Sequence, residues 1–258
     1  MSSQNAAEMP FLDHLEELRW RILRSLVALI LGVLIAFVIM TRYDVIRILE
    51  IPIAPFLQGG KLVYTHPADP FRIVMSFSIA IGAILASPVI LYQVWAFLSP
   101  ALYAHEKKVM IPVLIFGAML FLCGVALSYF VILPLTLTFL SGFQATGLQP
   151  MITARDYFDF AIGMSLALGL VFELPIAVLA LTAIGIVTPM FLLKYRRHAT
   201  VLCLVGSAFI TPGADPFSLL ALAAPLYLLY EVSVITSGWV YRRRLRKQAT
   251  IAGVEGVA

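Results

Sequence analysis

Residues 10–24, PFLDHLEELRWRILR, set three acids (Asp13, Glu16, Glu17), one histidine (His14) and three arginines (Arg19, Arg21, Arg24) against the start of a long apolar run. Phe11, Leu15, Leu18 and Ile22 recur at i, i+4, i+7 and i+11, which is one face of a helix. Pro10 suits a first helical position. The pattern predicts an amphipathic helix lying at a membrane surface, apolar side down and charged side wet. Glu17 with Arg21 at i,i+4, and Glu16 with Arg19 at i,i+3, also read as ordinary helix-stabilising pairs. Both readings of these acids stay open at this point.

The 258 residues are 61% hydrophobic and 12% charged, with mean hydropathy +0.97. A soluble domain of this size does not need so much apolar surface. Its apolar runs reach the roughly 20 residues that cross a bilayer. The chain therefore reads as a polytopic membrane protein. Its net charge of +4 then reflects loop topology and not nucleic-acid binding. Cys123 and Cys203 fall inside apolar runs, as small packing residues do, and do not read as a disulfide or metal pair. The leading segment carries Glu8, Asp13, Glu16 and Glu17 and shows no small-residue cleavage site after Leu34. It reads as a retained membrane helix and not as a cleaved signal peptide.

Six spans follow in order. The first covers residues 22–40. A loop with Pro52, Pro55, Gly59, Gly60 and Pro67 also holds apolar pieces, so a folded cap is expected there. Asp69-Pro70-Phe71 reads as N-cap, first helical position and helix start. The second span, 71–98, contains Pro88, which should kink it. The third covers 109–135 and runs past Pro134 towards Phe143. Thr153-Ala-Arg-Asp156 resembles a capping box with Asp in place of Glu or Gln. The fourth span, 157–184, carries Glu173 and Pro175, and the fifth, 198–211, is short. The sixth, 217–239, precedes a basic tail. The expected fold is all-α: one integral membrane domain, six transmembrane helices in a concave bundle, the last two helices short.

Orientation follows from Lys and Arg. One side holds Arg19, Arg21, Arg24, Lys107, Lys108, Lys194, Arg196, Arg197, Arg242, Arg243, Arg244, Arg246 and Lys247. The other holds only Arg42, Arg47, Lys61, Arg72 and Arg155. The positive-inside rule places both termini in the cytoplasm.

Among single residues Glu173 is the most informative. It lies about 16 Å from the cytoplasmic end of its helix, near mid-bilayer. An acid there costs several kcal/mol unless hydrated, protonated or paired. No Lys or Arg lies inside a span to neutralise it. A water-filled groove beside it is expected; the other reading is a protonated Glu bonded to a neighbouring helix. Pro175 should free the carbonyl of Val171. Glu106 alone reads as a loop acid. Glu231, near Tyr227 and Tyr230, should snorkel or bond a tyrosine. Enzymatic readings fare poorly. His14, His66, His105 and His198 make no metal-ligand spacing. His198 and Ser207 sit on one helix, and no phosphate-cradling glycine loop is present.

With these motifs in view, the chain resembles the TatC family, the multispanning subunit of the twin-arginine protein translocase. The resemblance rests on PFLDHLEELRWRI and Asp69-Pro70-Phe71. It continues through SPVILYQVWAF (residues 87–97) and LSPALYAHEKK (residues 98–108). Tyr129-Phe-Val-Ile-Leu-Pro134, Phe172-Glu173-Leu-Pro175 and Thr211-Pro-Gly-Ala-Asp215 complete it, over residues 10 to 240. The chain departs from the pattern at Leu219-Leu220, where some relatives carry a polar residue. The resemblance implies a receptor for twin-arginine signal peptides of folded cargo, without catalysis or cofactor, driven by the proton gradient. It implies single-span TatA-like and TatB-like partners, a homo-oligomer within a larger complex, and a place in the cytoplasmic (inner) membrane. Glu17 and Glu106 match the family's two acids at the twin-arginine site, with His14, Arg19 and Phe97 beside them. Glu173 matches its buried acid in an intramembrane pocket. Pro52, Phe71, Tyr129, Thr211, Asp215 and Glu231 are further candidates. A second reading is a proton-coupled secondary transporter of a small solute using Glu173. No inverted repeat is visible in support of it.

Overall fold

The computed structural model describes residues 5–57, 61–98, 110–142, 151–211 and 216–255. Every named element among them is helical. The first, α1 (Asn5–Arg42), is one uninterrupted helix. The amphipathic segment expected to lie flat on a membrane surface is therefore continuous with the first span. No Gly or Pro occurs between residues 11 and 31, and the Ser25 hydroxyl donates back to the Arg21 carbonyl at 2.9 Å, as helical serines do.

After α1 come α2 (Val45–Leu49) and a 3-10 turn (Ala54–Phe56). They form the folded cap expected from the loop's apolar pieces. Ile53 is fully buried there and Pro52 is buried beside it. The Tyr157 hydroxyl donates to the Leu49 carbonyl at 2.8 Å, and the Tyr129 hydroxyl donates to the Ile48 carbonyl. Farther along, Val63 pairs with Thr153 in a short parallel bridge.

The next helix, α3 (Asp69–Leu98), carries Pro88 inside it. A proline leaves the carbonyl four residues earlier, here Ile84, without its donor. The Ser87 hydroxyl supplies one, at 2.8 Å from Ile84 O. Lipid offers no water for the purpose, so a neighbouring hydroxyl is the available remedy. Asp69 works differently from the expected N-cap. It is the first helical residue, and its buried carboxylate accepts the preceding amides of Thr65 (3.1 Å) and His66 (2.9 Å). The side chain thus fixes the turn entering α3.

Past α3 come α4 (Met110–Leu127), a π-helical turn (Ser128–Ile132) and α5 (Leu133–Gly142). Pro134 has no N–H for the Phe130 carbonyl. The Leu133 amide meanwhile reaches back to Ser128 O, five residues earlier. The wider turn absorbs the proline, so the helix continues past the span's 135 to Gly142, in keeping with the run towards Phe143 read from the sequence. The fourth predicted span is two helices, α6 (Ala154–Val171) and α7 (Leu174–Ile184). Thr153 caps α6: its hydroxyl accepts from the Asp156 amide at 3.1 Å and donates to the Asp156 carboxylate at 2.6 Å. The N-cap half of the capping box read from sequence is thereby present, while the Asp156 carboxylate takes the Thr153 hydroxyl in place of its backbone N–H.

Beyond α7 lie α8 (Pro189–Lys194), α9 (Arg196–Ile210) and α10 (Pro216–Glu255). The short helix expected fifth is present, with 15 residues. The last helix is not short. With no breaker after Trp239 it carries on through the basic tail, and Pro225 sits inside it. Five helical stretches among the described residues are long and apolar enough to cross a membrane: Leu15–Arg42, Asp69–Phe97, Pro112–Gly142, Ala154–Ala183 and Pro216–Arg242.

The residues group into two compact units, one of Met1–Ile46 with Phe71–Ala118 and one of Arg47–Pro70 with Met119–Ala258. In the first, α1 and α3 cross at glycines. A Cβ on Gly82 would lie 2.6 Å from the Val33 amide nitrogen, and one on Gly32 2.5 Å from the Gly82 carbonyl oxygen. Small residues let helices approach this closely in lipid. In the second unit Gly124 and Gly169 bring α4 against α6 in the same way. Its core is Ile132, Met164, Leu168, Phe172, Leu222, Leu226 and Leu229. Gly82→Ala should lower unfolding stability in detergent by about 1–3 kcal/mol, because the clash is with backbone. Gly163→Ala, where a Cβ meets nothing within 4 Å, should be neutral or slightly stabilising. Unfolding midpoints of the two variants check the contrast.

Candidate functional site

On α1 the Glu17 carboxylate accepts from Arg21 Nε at 3.1 Å and pairs also with its Nη2. This is the i,i+4 pair that the sequence offered. Glu16, Arg19 and Arg24 are exposed on the same helix. Phe97 is half-buried near the end of α3. On that helix Gln93 is buried, and its Oε1 accepts no hydrogen bond among the described residues. It lies inside the SPVILYQVWAF motif, but nothing in a lone glutamine marked it in advance. Phe71 is 64% exposed. Glu106 and Asp215 lie outside the described residues, as does the side chain of His14.

Glu173 sits at the joint between α6 and α7. The Phe172 amide still reaches Leu168 O at 3.0 Å, but the Glu173 amide bonds Leu170 O at 3.1 Å, a tighter 3-10 contact. Pro175 occupies the first turn of α7, where its missing N–H is tolerated. The break thus falls where the freed Val171 carbonyl was expected. Phe172 goes into the core cluster and Glu173 beside it does not.

Sequence reasoning expected the Glu173 carboxyl to open onto a water-filled groove. Instead both oxygens are shielded from solvent, and neither takes part in a hydrogen bond among the described residues. The bond to a neighbouring helix, the other reading, is likewise absent among them.

Tyr129 and Pro52 belong to the cap described above. Thr211 closes α9, buried, with its hydroxyl donating to Ser207 O at 2.8 Å. Glu231 on α10 bonds Tyr227, whose hydroxyl donates at 2.9 Å, as the sequence reading allowed. It also pairs with Arg196 at the start of α9. That partner was missed, because a pair 35 residues apart has no helical spacing to reveal it. Two hydroxyl pairs were missed for the same reason: Thr182 with Ser237 (2.9 Å) and Ser165 with Ser128 (3.3 Å).

The sequence model described as Sec-independent protein translocase protein (TatC) matches residues 13–225. The chain belongs to the TatC family. It is 39% identical over 238 residues to the Sec-independent protein translocase protein TatC of Aquifex aeolicus (strain VF5), covering 92% of this chain and 98% of that one. To the TatC protein of Escherichia coli (strain K12) it is 36% identical over 229 residues, 88% of each chain. Its fold is similar to the crystal structure of the Twin Arginine Translocase Receptor- TatC, with TM-score 0.78, 38% identity and 88% of this chain covered against 99% of that one. With five apolar spans, this TatC-family chain is a multi-pass membrane protein.

An unbonded, shielded carboxyl loses its hydration without compensation. Glu173→Leu should therefore leave the isolated chain at least as stable as the wild type, by up to about 1–3 kcal/mol. Melting of the two purified proteins in one detergent checks it; a clear loss of stability would reveal a structural bond at Glu173.

Proposed function

We propose that this chain is a receptor for twin-arginine signal peptides and the core subunit of a translocase that carries folded proteins across the membrane, driven by the proton gradient. The observation that carries the reading is the match over nearly the whole chain to a family of translocase proteins, one of them a twin-arginine receptor in the crystal. The chain acts by binding and positioning, with no catalytic step of its own. Its partners are TatA-like and TatB-like single-span proteins, the signal peptides of folded cargo, membrane lipid and further copies of itself. It forms one integral domain in the cytoplasmic membrane with both termini inside. Helix α9 makes the sixth crossing, although its length is only about 22 Å against a hydrocarbon layer of roughly 30 Å.

Recognition falls to Glu17 and Glu106, each taking one arginine of the signal, with His14, Arg19 and Phe97 nearby. A guanidinium binds a carboxylate bidentately, and an ammonium does not reproduce that geometry. The pair of Glu17 with Arg21 does not obstruct this role. Such i,i+4 pairs contribute only about 0.3–0.5 kcal/mol, so an incoming arginine displaces Arg21 readily. Glu173 acts later: its unbonded carboxyl takes a polar group from a helix that docks within the membrane, either the signal peptide or a partner span. Pro52, Phe71, Tyr129 and Thr211 support these sites by holding the loops and helix ends.

A charge-assisted hydrogen bond contributes roughly 1.5–3 kcal/mol, so Glu17→Gln or Glu106→Gln should weaken twin-arginine peptide binding about tenfold or more. Unchanged affinity in both single variants and in the double would refute the assignment. Glu173→Ala should bind the peptide almost normally and export cargo poorly, with Glu173→Gln milder. Measuring binding and export on the same variants separates the two roles, and normal export by Glu173→Ala would remove Glu173 from the mechanism.

A further inference from the structure

Helix α9 is too short to hold its own depth in a bilayer. From Arg196 to Thr211 it rises about 22 Å. Beyond Arg197 and His198 its outward face, with Val201, Leu202, Val205 and Phe209 all exposed, is apolar. Such a face slides along the membrane normal at little cost, because mismatch is worth only fractions of a kcal/mol per Å. Something at its ends must stop it.

At the Arg196 end there is such a stop. Arg196, the first residue of α9, pairs with Glu231 of α10. The Tyr227 hydroxyl holds the other oxygen of that carboxylate at 2.9 Å. One residue before Glu231, Tyr230 donates to the Leu192 carbonyl of α8. Glu231 and its neighbours thus grip the start of α9 and the end of α8 together. The register is matched along the chain: Glu231 stands 15 residues after Pro216 and Arg196 stands 15 residues before Thr211. Two helices joined by the short connection between Thr211 and Pro216 therefore bring these residues level. The Arg196 side chain is 47% exposed and that of Glu231 24%, so the pair stays partly hydrated. Helix α10 continues another 11 residues to Arg242, about 16 Å further.

We propose that Arg196, Glu231 and Tyr227 form a clamp that sets the depth of α9, and that they are positioning residues for the transport step. The link to transport is packing. Cys203 and Ile210 of α9 lie against the cluster containing Phe172, the residue before Glu173. If α9 shifts, the wall of the Glu173 joint shifts with it. This link to transport rests on the function proposed above; the depth of α9 does not.

Cys203 reports on that depth, being half-buried on α9. The test uses the full chain with its partner subunits in native membranes, with Cys123→Ser removing the other thiol, at matched protein levels. Three quantities are read: the labelling rate of Cys203 with a membrane-impermeant maleimide, twin-arginine peptide binding, and cargo export. Arg196→Gln and Glu231→Gln should each change the labelling rate at least about threefold and lower export at least about threefold. Peptide binding should stay within about twofold of wild type. The exchanged double variant, Arg196→Glu with Glu231→Arg, should return labelling and export towards wild type. Unchanged labelling in both single variants would overturn the clamp. So would an exchanged variant no better than the singles, or loss of peptide binding together with export. Tyr227→Phe keeps the ion pair and removes one hydrogen bond, so it tests the clamp even where Glu231→Gln does not accumulate. It should shift labelling in the same direction by a smaller factor, and no shift would count against the clamp. A wild-type chain that bound no peptide would instead defeat the proposed function and leave the labelling result standing.

Discussion

Inside hydrocarbon a polar atom must find its partner within the protein, because no water is there to supply one. Much of this chain follows from that demand. The carbonyl that Pro88 leaves at Ile84 receives the Ser87 hydroxyl. Upstream of Pro134, a π-helical turn accommodates the proline, with the Leu133 amide reaching Ser128 O. Ser78 and Thr182 turn their hydroxyls back to carbonyls four residues earlier, at 2.6 and 2.8 Å. Thr182 meets Ser237 as well, joining α7 to α10. Against this background Glu173 stands out, shielded and without a hydrogen bond among the described residues. Natural structures leave few such groups, and one that persists calls for a reason.

Three acids of this chain sit in different surroundings. Glu17 sits on the first helix, before its long apolar run, where arginine recognition by geometry is possible. Glu173 sits at a joint of two helices inside the apolar layer. Glu231 pairs with Arg196 across two helices. The three acids thus differ in surroundings: one pairs with a neighbour on its own helix, one has no hydrogen bond among the described residues and one is held by a second helix. We propose that the same carboxyl chemistry serves recognition, docking and positioning.

Much of this was legible in the sequence. Long apolar runs marked the spans, and Asp69 and Thr153 marked helix starts close to where they fall; Pro175 was read only as freeing the Val171 carbonyl within one span, which the structure breaks into α6 and α7. Local signals of this kind act within four residues, which is why they can be read. The continuity of α1 was not read, because an amphipathic segment and a membrane span share the same 3.6-residue period and nothing breaks the helix between them. Nor was the length of α10, where a basic tail looked like an end but contained no breaker. The hydroxyl pairs and the Arg196 partner of Glu231 depend on which helices meet, and one sequence holds no record of that. Glu173 was found by its depth alone. That its oxygens are shielded instead of wet was decided by side-chain packing, which periodicity does not encode.

We propose that carboxylates of this chain read arginine and not merely positive charge. This is tested most directly by photo-crosslinking a signal peptide to the purified chain in detergent or nanodiscs. A twin-arginine peptide should crosslink to the region around Glu17, and the same peptide with both arginines changed to lysine should not. Equal crosslinking of the two peptides would contradict the account, since it would reduce recognition to net charge.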